Sequence, residues 1–247
     1  MSYFRTQAAV YARYRPDYPK EVFENVVALC PAKALAWDCA TGNGQAAYSL
    51  ASYFERVIAT DISAEQLVHA RLAPNIEYRV ADAANSGLAS GSADLVSIFQ
   101  AIHWMDLNSF YAEVNRVLCD SGIFVATNYA DPVIAGNAEC DQVLQHYNKV
   151  TVGSYWPAAR AVVERLFELP FPFEEISIPR FQLARDWNLA ELAGYLRSWS
   201  STTRYVAQHR TDPVITFETE MANRWSNPAE RRRIEWPFLV RVGRKIS

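Results

Sequence analysis

Asp38-Cys39-Ala40-Thr41-Gly42-Asn43-Gly44-Gln45 is the segment of this 247-residue chain best suited to hold a ligand. Glycines let the backbone turn sharply and approach a bound molecule closely. A helix starting just after them adds free N–H groups and a partial positive charge. Gly42-Asn43-Gly44-Gln45-Ala46-Ala47 also satisfies the dinucleotide pattern G-x-G-x-x-A. Alone, then, the loop suits several cofactors, or only a tight turn. Two further acids narrow the choice. Asp61 stands 17 residues beyond Gly44, where a carboxylate can accept both ribose hydroxyls of an adenosine. Asp82, followed by Ala83, can accept a hydrogen bond from an adenine amino group.

These acids need strands to present them. Ala34–Cys39, Arg56–Asp61, Ile76–Asp82, Asp94–Gln100 and Ile123–Tyr129 are short β-rich runs that predict five strands, the first of them buried. Helical patterns lie between them: one through about Phe54, one after the Ser63 N-cap that Pro74-Asn75 breaks, and Leu107–Leu118. Such alternation predicts a mostly parallel sheet with helices on both faces. Ligands on such sheets bind at the carboxyl ends of the strands, which puts the glycine loop, Asp61, Asp82 and Gln100–Trp104 along one edge. Beyond Tyr129 the pattern changes. Residues from about 133 to 170 read as helical with aromatic and proline interruptions. Glu175–Ala184 and Ile234–Val242 read as strands, and Asn188–Trp199 and Pro213–Trp225 as helices.

Half the residues are hydrophobic and 21% are charged, ample for a buried core. A net charge of −3 gives no electrostatic footprint for nucleic acid. Arg231-Arg232-Arg233 is the one tight basic cluster and reads as a solvated strand entrance. Cys30, Cys39, Cys119 and Cys140 form no C-x-x-C pair and sit at no zinc spacing, so they read as buried thiols, with no metal, in a reducing cytosol. Met1–Arg5 lacks the apolar core of a signal peptide, and no apolar run is long enough to span a bilayer. A cytoplasmic protein without membrane partners is expected.

Taken together these residues resemble the class I S-adenosylmethionine-dependent methyltransferases, in the small-molecule type 11 group that includes trans-aconitate methyltransferase-like proteins. Residues 34–129 carry the core of the resemblance: Asp38, Gly42 and Gly44 match the acid and glycine-rich turn, with Ala40 in place of a usual glycine. Asp61 matches the ribose-binding acid and Asp82-Ala83 the adenine-site pair. Gln100-Ala101-Ile102-His103-Trp104-Met105-Asp106 looks like the Q-A-x-H-W-x-D signature after the fourth strand. Phe4–Pro19, with Tyr11 and Tyr14-Arg15-Pro16, looks like the N-terminal arm that closes over the cofactor. Trp236-Pro237-Phe238 leading to Val242-Gly243-Arg244 is also similar to the family.

The resemblance implies a Rossmann-like doubly wound α/β fold of about seven strands, with an antiparallel C-terminal strand and a helical cap. It implies a single methyltransferase domain over 1–247. The core would span about 20–130 with C-terminal strands at about 174–184 and 231–245, and the cap about 133–170 and 186–226. S-adenosylmethionine would be held by Tyr14, Arg15, Asp38, Ala40, Gly42, Gly44, Asp61, Ile62, Asp82, Ala83 and Gln100, and leave as S-adenosylhomocysteine. The acceptor would be a small organic molecule, methylated on oxygen, a carboxylate among the candidates, met by Tyr11, His103, Trp104, Trp156 and Arg160. Methyl transfer from a sulfonium is an in-line displacement, so positioning dominates. His103 is the candidate base for an acceptor of high pKa. For a carboxylate, already ionised, His103 with Arg15 or Arg160 would orient charge instead. The cap aromatics are expected to be mostly core, a few lining an apolar acceptor pocket. Two other readings share part of the pattern. An NAD-dependent oxidoreductase explains the glycine loop and Asp61 but not Asp82 or the Q-A-x-H-W segment. A non-catalytic S-adenosylmethionine-binding protein would share the whole cofactor site.

Overall fold

A computed structural model describes residues 14–246. Tyr11 and most of the N-terminal segment read as an arm, including Phe4, lie outside the described residues. In chain order the regular elements are α1 (Lys20–Ala28), β1 (Leu35–Cys39), α2 (Gln45–Leu50), β2 (Arg56–Asp61), α3 (Ala64–Leu67), β3 (Ile76–Val80), β4 (Ala93–Phe99), α4 (Leu107–Val117) and β5 (Leu118–Tyr129). There follow β6 (Val133–Ile134), α5 (Ala138–His146), β7 (Glu174–Ile176), β8 (Leu183–Trp187), α6 (Leu189–Arg197), α7 (Ser200–His209), α8 (Pro213–Trp225), β9 (Arg232–Trp236) and β10 (Phe238–Arg244). They form two compact bodies: 17–129 with 161–181 and 238–246, and 14–16 with 130–160 and 182–237.

The first body is built on a seven-stranded sheet of order β3-β2-β1-β4-β5-β10-β7. The strands β1 to β5 run parallel, and β10 is antiparallel to both β5 and β7. This is the Rossmann-like doubly wound arrangement expected from the alternating pattern. Its central strands β1, β2, β4 and β5 are apolar on both faces because both are covered, whereas the edge strands β3 and β7 are partly exposed. On one face Ala36, Val57, Ala59, Leu95 and Val125 pack with Val22, Phe23, Val26 and Val27 of α1 and Ala46, Ala47 and Leu50 of α2. On the other, Trp37, Ile58, Val96, Ile98 and Phe124 pack with Phe110, Tyr111, Val114 and Val117 of α4.

The second body has a three-stranded sheet, β6-β9-β8, and the helices α5 to α8. Most of its aromatics are core, as expected: Tyr147, Trp187, Tyr195, Trp199, Trp225 and Trp236 are buried. The Trp236 indole N–H donates to the Tyr195 hydroxyl at 3.0 Å, and Tyr195 meets Trp199 and Trp236 edge-on. Phe167 and Phe171, read with the helical segments, belong to the sheet body instead, with the Arg241 guanidinium over the Phe171 ring.

Several boundaries differ from the sequence expectation. The run Ile234–Val242 is two strands in different sheets, β9 and β10, parted at Pro237, whose missing N–H interrupts a ladder. Glu175–Ala184 likewise divides into β7 and β8 around Pro179. The helix after Ser63 is a single turn, although Ser63 does cap it by accepting from the Gln66 N–H. Of residues 133–170 only α5 is α-helical; a π turn over Tyr147–Thr151 and 3-10 turns follow it. The helices α1 and α7 had no counterpart in the sequence reading. Arg232 and Arg233 open β9; Arg231 pairs with Glu191, Arg232 with Glu230 and Arg233 with Glu235. Among the described residues no helix is long and apolar enough to cross a membrane.

Candidate functional site

The glycine loop leaves β1 in a left-handed backbone. Ala40 has φ 52°, Gly42 φ 56° and Gly44 φ 76°. Two glycines supply that conformation freely; Ala40 bears a cost of roughly 1–2 kcal/mol for it. Where Ala40 stands in place of a usual glycine, its methyl group therefore adds backbone strain. Gln100, at the end of β4, is also left-handed at φ 55°. Non-glycine residues in this region gather where the surrounding structure over-determines them, commonly at functional sites.

Asp38 is the anchor of the loop. It is buried, and accepts from the Thr41 hydroxyl at 2.5 Å and the Ser97 hydroxyl at 2.7 Å. The Ala47 N–H, in the first turn of α2, also donates to it. Burial pushes its carboxyl up to about 6, and the hydrogen bonds from Thr41, Ser97 and Ala47 oppose that rise. Ser97 lies beside Asp38 in the parallel β1–β4 register.

Asp61 completes the loop from the neighbouring strand. One of its oxygens accepts the Gly42 N–H at 2.8 Å and the other the Ser63 N–H at 2.8 Å. Each carboxylate oxygen has two acceptor positions, so one on each remains for a ligand. Arg71 and Tyr78 brace the loop from behind. The Arg71 N–H donates to the Asn43 carbonyl and the Tyr78 hydroxyl to the Arg71 carbonyl at 2.6 Å. Tyr78 occupies the space that a Cβ on Gly44 would need.

Beyond the loop is a cavity of about 370 Å³, within the roughly 300–1,000 Å³ typical of small-ligand sites. Ala40, Asp61, Ile62, Asp82 and Ala83 line it, as do Ala81, Ala84 and Trp104. Its far wall is Met105, Asp106, Ser109 and Phe110, from the start of α4. Five residues expected to hold the cofactor thus share one cavity. Trp104, expected at the acceptor, shares it too. Ile62 and Trp104 are apolar yet 75% and 55% exposed, flat surfaces available to an aromatic ring. Asp82 accepts the Ala84 N–H through Oδ1. Asp106 caps α4, and its hydrogen bonds from Ser109 hold its carboxyl below the usual range.

Asp106, Ser109 and Phe110 are the wall that sequence reading missed. The signal was the N-cap itself: a helix starting at Asp106 turns its first residues toward the strand ends. Among the described residues the lining holds three carboxylates and no cationic side chain. Such a surface repels a pyrophosphate and suits hydroxyl and amino donors and a cationic ligand.

The remaining expected residues are not among those lining residues. The Gln100 amide donates to the Tyr129 carbonyl at 3.0 Å and accepts the Tyr129 N–H at 2.6 Å; it clips β4 to β5 and is not among the lining residues. His103 is half-buried, its ring 4.9 Å from that of Trp104. Tyr14, Arg15, Trp156 and Arg160 belong to the second body. The Tyr14 ring lies where a Cβ on Gly194 would fall, and Arg15 donates to the Ser198 carbonyl. Arg160 pairs with Asp131 and stacks over Trp156, its guanidinium 3.7 Å from the ring centre. Asn148 joins Asp131 to the Trp156 indole N–H. The Arg160 charge is therefore already answered by a carboxylate.

The methyltransferase domain family model matches residues 37–126, the span from β1 into β5. A methyltransferase assigned in Dictyostelium discoideum is 31% identical over 205 residues, covering 82% of this chain and 78% of its own. The chain belongs to the S-adenosylmethionine-dependent methyltransferases. A Saccharomyces cerevisiae protein assigned to the S-adenosylmethionine-dependent methyltransferases is 28% identical over 161 residues, 60% of this chain and 55% of that one. A solved structure from Anaeromyxobacter dehalogenans, assigned as a type II methyltransferase, superposes with a TM-score of 0.85 at 33% identity, covering 94% and 99% of the two chains. In a methyltransferase of this kind the donor carries a sulfonium and an adenosine with two free ribose hydroxyls. The acid-lined, cation-free cavity and the spare acceptor positions on Asp61 fit that chemistry.

Proposed function

We propose that this methyltransferase belongs to the class I, type 11, trans-aconitate methyltransferase-like subgroup and acts as an O-methyltransferase on a small organic acceptor, with a carboxylate the preferred nucleophile. One observation carries the cofactor half of the reading: Ala40, Asp61, Ile62, Asp82 and Ala83, all expected at S-adenosylmethionine, line one cavity. Asp61 accepts the ribose hydroxyls, and Asp82 takes the adenine amino group at the base edge beside Ala83. Ile62 and Trp104 flank the base. Asp38, Ala40, Gly42 and Gly44 hold the methionine end, with Tyr14, Arg15 and Gln100 acting as supports. When bound, S-adenosylmethionine supplies an activated methyl group, so the protein must chiefly align the acceptor.

On the acceptor side the reading rests on the chain's net charge of −3 and its many aromatics, which favour a small molecule over a nucleic acid. His103 orients an ionised carboxylate or, for an acceptor of high pKa, takes its proton. Trp156 and Arg160, already bonded to Asn148 and Asp131, would contribute as a fixed aromatic and cationic surface.

Parallel calorimetric titrations with S-adenosylmethionine, S-adenosylhomocysteine and NAD test the cofactor assignment. Micromolar binding of the first two and none of NAD is expected. Binding of NAD alone would overturn it. An acceptor screen starting from small carboxylic acids, read by methyl ester formation, then tests the substrate class. Methylation confined to amines or to protein would refute it.

A further inference from the structure

The loop between β3 and β4 forms one side of the cavity through Asp82, Ala83 and Ala84, and the first turn of α4 forms the other. These two walls are joined by an ionic clamp whose carboxylate is buried and whose arginine is exposed. Glu113 of α4 is only 7% exposed. Its Oε1 accepts the Ser86 N–H at 2.8 Å and the Ser86 hydroxyl at 2.5 Å. Arg116 donates to both Glu113 oxygens at 2.7 Å, then to the Leu88 carbonyl at 2.8 Å and the Ser90 hydroxyl at 3.0 Å. The end of the loop is tied to the same helix, since Gly91 and Ser92 donate to the carbonyls of Arg116 and Val117. Asp106, Phe110, Glu113 and Val117 follow at helical i, i+3 or i+4 spacing, along one face of α4. Leu88, Phe110, Val114 and Val117 are buried in the same core cluster, with Ala83 and Met105 packed against it.

Glu113 is not among the lining residues, yet it holds the residue two places after Ala84. The bonds from Arg116 keep its carboxyl down near 2, so the clamp stays ionised throughout the physiological range. We propose that Glu113 is a positioning residue for the cofactor. By pinning Ser86 to α4 it fixes the separation of the Asp82–Ala84 turn from Asp106, Ser109 and Phe110, and hence the size of adenine substituent the site accepts. This rests on the placement of the base beside Asp82.

The test compares calorimetric affinities for S-adenosylhomocysteine and its N6-benzyl derivative in the wild type, Glu113→Ala, Glu113→Gln and Ser86→Ala. The wild type should favour the unsubstituted compound by roughly tenfold or more, as expected for overpacking a rigid site. In Glu113→Ala that preference should fall to about threefold or less, because the freed loop yields. Glu113→Gln and Ser86→Ala, which each keep part of the clamp, should lie between. A general loss of stability would lower the unfolding temperature but leave the ratio in the folded protein unchanged. An unchanged ratio in Glu113→Ala, or in Ser86→Ala if the former does not fold, overturns the proposal alone. A wild type that binds both compounds equally overturns the placement of the base as well.

Discussion

Gly44→Ala probes the brace behind the glycine loop. Gly44 caps α2 with φ 76°, and an alanine held there costs roughly 1–2 kcal/mol. The new methyl would collide with the Tyr78 hydroxyl and lie 3.0 Å from Cζ and 3.2 Å from Cε1. Tyr78 is tethered against swinging aside, since its hydroxyl donates to the Arg71 carbonyl at 2.6 Å. Overpacking of this kind costs about 1–3 kcal/mol. The two effects together predict a destabilisation of about 2–5 kcal/mol. Tyr78→Phe alone should cost about 0.5–1.5 kcal/mol for the lost hydrogen bond. In the double variant the colliding oxygen is gone while the backbone cost stays. It should be more stable than the sum of the single losses by about 1–2 kcal/mol. Urea unfolding of the four proteins measures the cycle, and titration with S-adenosylhomocysteine follows the loop. Gly44→Ala should weaken binding, and Tyr78→Phe should restore part of it. Wild-type stability in Gly44→Ala, or a cycle additive within about 0.5 kcal/mol, would refute the reasoning.

Asp61→Ala removes the acceptor for the Gly42 and Ser63 amides as well as for the ribose. At about 1.5–3 kcal/mol for each charged hydrogen bond, cofactor affinity should fall by about a hundredfold or more; unchanged affinity by calorimetry would sink the ribose assignment. Asp38 is a buried acid raised from 3.8 to about 6. Its burial therefore costs the folded state stability that is fully felt above pH 6 and is relieved as pH falls toward 3.8. Because a cationic cofactor favours the ionised form, affinity should drop below pH 6 by up to roughly tenfold per unit. Asp38→Asn should bind more weakly and without that slope, so a slope retained in the variant would assign the titration to another group. His103→Ala should leave cofactor binding intact and reduce turnover; turnover equal to the wild type would reject both an orienting and a basic role.

The parallel part of the fold was legible in local pattern. The apolar runs that carry Asp38 and Asp61 are buried on two faces, and such a strand shows the same signature wherever its neighbours are; β3, at the sheet edge, has no buried residue. The glycine loop was legible for the same reason: left-handed backbone favours glycine at Gly42 and Gly44 regardless of what surrounds it. The C-terminal third was harder to read. Pro237 and Pro179 each interrupt a continuous β-like run, but nothing local says that the two halves join different sheets. The single turn of α3 and the π and 3-10 turns after α5 depend on packing that overrides propensity.

In the site itself, the sequence by itself determined which acids end which strands, and so which group could meet an adenosine. Only the tertiary structure decided the rest. It set Ser97 against Asp38 through strand register, occupied Gln100 with Tyr129, and answered Arg160 with Asp131. It also brought Asp106, Ser109 and Phe110 to the far wall of the cavity. Hydrogen bonds and cavities belong to residues distant in the chain, and the partner that satisfies or frees a side chain is chosen when the elements pack.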